Sequence, residues 1–365
     1  MVIWQNYCNS MLELLVLCLI VAVNGQKEIS INPNSLGILL NEEATVNFTF
    51  NEELYDYIVV NLNSSAELGI DPNRLIFNQN VKKRELKVKG TAVTSRGFVN
   101  IQGCYNLKSQ FNLQNIFLTV TVFRSRFLSA LIQIVGWIYF AAWSISFWPQ
   151  IVLNFQRRSV VGLNFDFIVL NILGFTCYTI YNVTLFFIPT IQNDYYVEFP
   201  QSSIPVTIPD LAFALHALLA SILTGIQCLI YERDNQRISY TCIAWTVVLI
   251  LFASGSLIAA LTHALNWFNF ITCLSYVKMA VSLSKYTPQA IMNFRRSSTL
   301  GMSIGNFLLD FTGGMFSILQ MILIGWNTND WSGFLSNKVK FGLGMISIIF
   351  DCLFIFQHYC LYRNT

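Results

Sequence analysis

The residues able to do chemistry lie where charge is expensive. Long apolar stretches of the chain carry Asp210, Lys278, Lys285, Asp310, Lys340 and Asp351, with His216 and His358 among them. An ionisable side chain inside a membrane segment is costly and by default marks a path for substrate or ions. Asn306 and Asp310 stand four residues apart, and Lys278 and Lys285 seven, so each pair shares one helix face. Lysines can meet carboxylates, and Asp and Asn oxygens accept from ammonium groups. Each residue also has an ordinary reading. Lys340, at the mouth of its segment, can snorkel. Asp210 opens a segment and can complement a helix N-terminus. Asp310 can bond a helix terminus or a serine, and His216 and His358 can simply pack or face the surface.

Other chemistry is excluded. No HExxH or P-loop pattern occurs, and no paired nucleophile and base stands out, so no enzyme is expected. No CxxC pair or zinc-spaced His/Cys cluster occurs, so no metal is expected either. The 365 residues are 54% hydrophobic and 11% charged, against about 25% charged in soluble domains. Mean hydropathy is +0.53, and membrane lipid is the expected surrounding. The net charge is 22 − 19 = +3 without a basic run, which leaves no nucleic-acid partner. Of nine cysteines only Cys104 lies in the polar N-terminal part, so that part is no disulfide scaffold.

These residues need positioning elements, and the sequence supplies three kinds. Residues 1–25, with the apolar run Met11–Val23 and Asn24-Gly25 behind it, read as a signal peptide. Residues 26–123 alternate in period two at Thr45–Phe50, Tyr57–Leu62, Glu85–Lys89, Phe98–Ile101 and Ile116–Phe123, as in a small β-sandwich. Asn47 and Asn63 head glycosylation sequons there. Residues 124–365 hold seven apolar spans, about 128–152, 163–187, 210–231, 239–260, 264–287, 302–325 and 341–361, each near the length a bilayer requires. Arg157, Arg158, Arg233, Arg237, Arg295, Arg296 and Arg363 fall on one side, against Lys338 and Lys340 on the other. That bias puts the C-terminus in the cytosol and the β-domain on the other side of the membrane, luminal or extracellular.

The strongest internal signal is a repeat. Pro149–Gly174 and Pro288–Gly313 align without a gap at an offset of 139, with nine of 26 positions identical. Asn171 in the first copy stands where Asp310 stands in the second. Four crossings separate the copies, so they run parallel: two three-helix repeats, about 128–231 and 264–361, joined by a linker helix at about 239–260. Parallel repeats are a transporter device, with substrate held between the halves. Pro149-Gln150 and Pro288-Gln289 then mark matched hinges, because proline removes a helix hydrogen bond. The plain alternative is two static kinks.

The two Pro-Gln motifs, together with GWIYFAAWSISFWPQ (Gly136–Gln150), YERDNQR (Tyr231–Arg237), SYVKMAVSLSKYTPQAIMNF (Ser275–Phe294) and SIGNFLLDFTGG (Ser303–Gly314), carry a resemblance. Over 125–362 the chain resembles the PQ-loop family, and within it the lysosomal proton-coupled cystine transporters. The resemblance implies an α-helical, SWEET-like membrane fold with a luminal β-domain. It implies symport of L-cystine with protons, from the acidic lysosomal lumen to the cytosol, by alternating access. Substrate binding would fall to Gln150, Asn171, Lys278, Lys285, Tyr286, Asn306, Asp310 and Lys340. Asp310 and Asp351 would couple protons, with Asp210 auxiliary and His216 a candidate relay. No cofactor beyond the proton is implied; the vacuolar ATPase and Ragulator are implied partners. The chain stops at Leu361–Thr365 without the GYDQL sorting tail of those transporters, which makes the plasma membrane the alternative location. The rival functions are another PQ-loop amino-acid or sugar transporter, a seven-helix receptor and a cargo-sorting receptor.

Overall fold

The computed structural model describes residues 29–362 apart from 34, 51–56, 79–80, 106–116, 162, 200–201, 235 and 298–303. The expected signal peptide lies outside them. The chain divides into a β-rich unit ending at Thr121 and a helical unit from Val122, which also takes in residues 93–96.

The β-rich unit is two sheets, ordered β1-β3-β7-β5 and β2-β9-β8-β4-β6. Alternation builds their core. Val46, Phe48 and Phe50 of β3 (Glu43–Phe50) point inward, as do Leu118, Val120 and Val122 of β9 (Phe117–Phe123). The expected strands recur as β3, β4 (Ile58–Ser64), β7 (Lys83–Gly90), β8 (Thr94–Tyr105) and β9. Four strands of four or five residues, β1 (Ile29–Asn32), β2 (Ser35–Leu39), β5 (Leu68–Asp71) and β6 (Arg74–Phe77), are too short to show a period in sequence. Asn63 is exposed near the end of β4, and Asn47 is half-buried between β1 and β7.

The helical unit contains α1 (Arg126–Ile145), α2 (Trp148–Arg157), α3 (Phe165–Phe187), α4 (Pro189–Glu198), α5 (Ile208–Ile230), α6 (Tyr240–Leu261), α7 (Trp267–Arg296), α8 (Ile304–Thr328), the single turn α9 (Gly333–Ser336) and α10 (Lys338–Phe356). Among the described residues six helices, counting α1 and α2 as one, are long and apolar enough to cross a membrane. At 30 residues α7 is long enough, but Asn269, Lys278 and Lys285 lower its apolarity. It packs among the others, against α3, α6 and α10.

The repeat is visible in the packing. α1 of the first half lies against α8 of the second, and α7 of the second against α3 of the first. Two glycines, 139 apart, permit these crossings. A Cβ on Gly174 would stand 2.9 Å from Val281 and 3.2 Å from Lys278, and one on Gly313 would stand 2.5 Å from the Trp143 ring. The helices after the Pro-Gln motifs end alike, on left-handed residues at Arg158 (φ 51°) and Ser297 (φ 48°). The linker α6 is apolar nearly all round and buries only Cys242, Leu249, Ser256 and Ala260, a stripe of sevens and fours. Its other faces are left for lipid.

The Pro-Gln motifs themselves differ. The first helix is interrupted at Ser146–Phe147, and Pro149 sits in the first turn of α2, where its missing N–H costs nothing. The helix α7 runs unbroken through Pro288 and Gln289, whose side chains lie outside the described set.

Candidate functional site

A cavity of about 300 Å³ opens between the repeats. The sequence placed eight candidate binding residues in this region. The structure brings seven of them, Gln150, Asn171, Lys278, Lys285, Tyr286, Asn306 and Asp310, onto the cavity wall. They come from four helices, α2, α3, α7 and α8, so no short motif could assemble the set.

The wall has a polar side and an aromatic side. The Tyr286 hydroxyl donates to Asp310 Oδ2, and Ser347 of α10 donates to Asp310 Oδ1 at 3.3 Å. The Lys278 ammonium, 3% exposed, lies 3.4 Å from the centre of the Phe175 ring and has no hydrogen-bond acceptor among the described residues. Lys285 lies over Tyr286 at 4.8 Å and faces Phe167 at 5.2 Å. Buried Asn171 Oδ1 likewise has no donor among the described residues. Trp143, Phe175 and Phe213 form the aromatic side, with Trp143–Phe213 centroids 5.0 Å apart. A buried amine and a buried amide oxygen without partners are unfavourable unless a ligand completes them.

Asp351 lies behind the wall. It is fully buried, both carboxylate oxygens lack partners among the described residues, and it is close enough to Asp310 and Lys285 to feel both charges.

Lys340 and Asp210 do not line the cavity. They form a second cluster toward the end of the bundle where Ser125 caps the start of α1. Lys340 Nζ is 2.8 Å from Asp210 Oδ1 and donates to Gln320 Oε1 at 2.5 Å. Tyr139 donates to Asp210 Oδ1 at 2.5 Å, and Thr207 N–H and hydroxyl donate to Oδ2 at 2.9 and 2.6 Å. Gln320 in turn donates to the Ile132 carbonyl at 3.1 Å. His216 lies apart from both clusters, half-buried among the rings of Phe140, Phe147 and Trp148.

Sequence reasoning did not single out Tyr139, Gln320 or Ser347. Gln320 had a readable signal, an amide in an otherwise apolar span. It also passed over two matched latches near the opposite end of the bundle. Asn154 donates to Gln227 (2.9 Å), which donates back to the Ile151 carbonyl (3.0 Å). Asn293 donates to Gln357 (3.1 Å), which donates back to the Ala290 carbonyl (3.3 Å). Asn154/Asn293 and Ile151/Ala290 each obey the 139 offset, so the identity of the asparagines in the repeat was the available clue.

The family model "PQ loop repeat" matches residues 131–191 and 270–330, two segments whose ends are also 139 apart. A Caenorhabditis elegans protein described as "Cystinosin homolog" is 44% identical across 96% of this chain and 88% of its own. "Cystinosin" of Drosophila melanogaster is 39% identical across 97% of this chain and 89% of its own. The chain belongs to the cystinosin family. A more distant relative, the "Cystine transporter" of Saccharomyces cerevisiae, is 29% identical across 64% of this chain and 94% of its own. In this cystinosin-family chain that shared stretch has the length of the helical unit, and both cavity halves fall inside or beside the matched repeats.

Proposed function

We propose that the protein is a proton-coupled symporter that exports L-cystine from the acidic lysosomal lumen to the cytosol. In this reading α7 is a seventh span, the Ser125 end of the bundle is luminal and the Arg158 end cytosolic. The arginine bias of the loops supports that orientation. The observation that carries the reading is the unpartnered pair on the cavity wall: a buried ammonium, Lys278, and a buried amide oxygen, Asn171, beside the Asp310 carboxylate. Cystine is a double zwitterion around a disulfide. Its carboxylates suit Lys278 and Lys285, and its ammonium groups suit Asp310, Asn171 and Asn306. The aromatic side formed by Trp143, Phe175 and Phe213 suits the apolar disulfide.

Alternating access needs one end closed when the other is open. Asp310, Lys285, Gln150 and Asn306 are part-exposed on the cavity wall. Asp210 and Lys340, toward the luminal end, are 1% and 3% exposed. This arrangement corresponds to a cytosol-open, lumen-closed state, with the Lys340–Asp210–Gln320 cluster as part of the closure. Proton coupling would use Asp310 and Asp351, two carboxylates near one another and near Lys285. A proton taken from the lumen neutralises one of them and favours one side-open state over the other. Acid-driven cystine uptake at the surface of cells expressing the chain tests the reading. Wild type is expected to carry a proton current with cystine, and Asp310→Asn to lose it. Cystine flux indifferent to any pH gradient would remove the coupling.

A further inference from the structure

A second cavity of about 260 Å³ lies toward the Ser125 end of the helical unit. It stands in line with the first. On α3 its wall is Tyr181, six residues beyond Phe175 of the first cavity; on α7 it is Thr272 and Ser275, six and three residues before Lys278; on α10 it is Val339, four before Leu343. All three offsets point to the same end, so at 1.5 Å per helical residue the chambers are about 5–9 Å apart along one seam. Buried Tyr178 of α3, which lines neither, stands between them.

The outer chamber is polarised. Lys338, the first residue of α10, and Glu198, the last residue of α4, both line it and both are exposed. Each charge sits at the helix end that disfavours it, a cation at a positive N-terminus and an anion at a negative C-terminus. Helix stability therefore does not explain either. Neither forms an ion pair among the described residues. One wall of the chamber is thus positive and another negative, the pattern an α-amino acid presents in reverse.

We propose that this chamber is a loading site that holds one zwitterionic end of the substrate, ammonium toward Glu198 and carboxylate toward Lys338, before the seal around Tyr178 opens. The site rests on the transport reading for its role, and on its own geometry for binding. Cys273 lines the chamber and is half-exposed, which provides a local reporter. The experiment is maleimide alkylation of the purified full chain, resolved by mass spectrometry at Cys273, with and without millimolar cystathionine, a thioether analogue that cannot exchange with thiols. Protection is expected in wild type and in Asp310→Asn, and is expected to be lost in the Glu198→Gln/Lys338→Gln double variant. In acid-driven cystine uptake each single variant should raise KM about three- to fivefold, the effect of one exposed charge contact, without an equal fall in maximal flux. Flux with unprotected Cys273 and unmoved KM overturns the loading site and leaves transport standing. Protection without flux keeps the site and overturns transport.

Discussion

Two clusters inside the helical unit use the same residue types for opposite ends. Around Asp210 and Lys340 every charge is answered: the carboxylate takes Lys340, Tyr139 and Thr207, and the ammonium also reaches Gln320. Around Asp310 the tally is left open. The acid has Tyr286 and Ser347, but Lys278 rests on an aromatic face and Asn171 Oδ1 has no donor among the described residues. A closed cluster holds helices together; an open one waits for a ligand. Lys278 and Lys340 are equally buried, but Asp310 and Lys285 are part-exposed where Asp210 is not, so the clusters differ in partnership and in access.

That contrast can be broken by experiment. The largest effect is expected at Lys340→Met, which strands the Asp210 carboxylate and should cost about 3–5 kcal/mol, the loss seen when one partner of a buried pair is removed. Thermal unfolding in detergent would register it, and Asp210→Asn added to Lys340→Met should restore much of the loss. Lys278→Met should leave the unfolding temperature unchanged or raised, since it removes an unanswered charge. Its cost should appear instead in cystine flux, about 1.5–3 kcal/mol for a lost hydrogen bond to a charged group, or roughly 10- to 150-fold in apparent affinity. Equal thermal loss in the two variants would erase the distinction between the clusters.

Smaller effects sharpen the comparison between repeats. Gly313→Ala must displace Trp143, because the added Cβ would stand 2.5 Å from the ring; overpacking of this kind costs about 1–3 kcal/mol. Substrate affinity should fall with stability there, since Trp143 also lines the cavity. Asn154→Ala and Asn293→Ala each remove one latch and should each cost about 1 kcal/mol. If the break at Ser146–Phe147 lets α2 move with α5 as a unit, Asn154→Ala should slow the transport cycle more than Asn293→Ala, whose helix is continuous through Pro288. Stopped-flow flux measurements on the two variants decide that.

Much of the architecture was legible because membrane segments obey a simple rule. Apolar length and loop arginines depend on local sequence alone, and the 139 offset needs no coordinates. The period-two strands were readable where they ran seven to twelve residues, and missed where they ran four or five. For the cavity, Asn306 with Asp310 and Lys278 with Lys285 were readable as shared helix faces. Which lysine would face the cavity was not. Lys278 and Lys340 are both 3% exposed in apolar helices, and nothing in the neighbourhood of either announces an acid 130 residues away. The break before Pro149 and the continuity through Pro288 were equally hidden, because two identical dipeptides answer to different packing.

The sequence alone determined where the long apolar segments lie, that two copies of a repeat recur at one offset, and which charged side chains fall in apolar surroundings at a cost, since these follow from hydrophobicity and periodicity along the chain. The tertiary structure alone decided which buried charges are satisfied and which stay open. A hydrogen bond forms only within about 3 Å, and that distance is set by how α1, α5, α8 and α10 cross, not by any spacing along the chain.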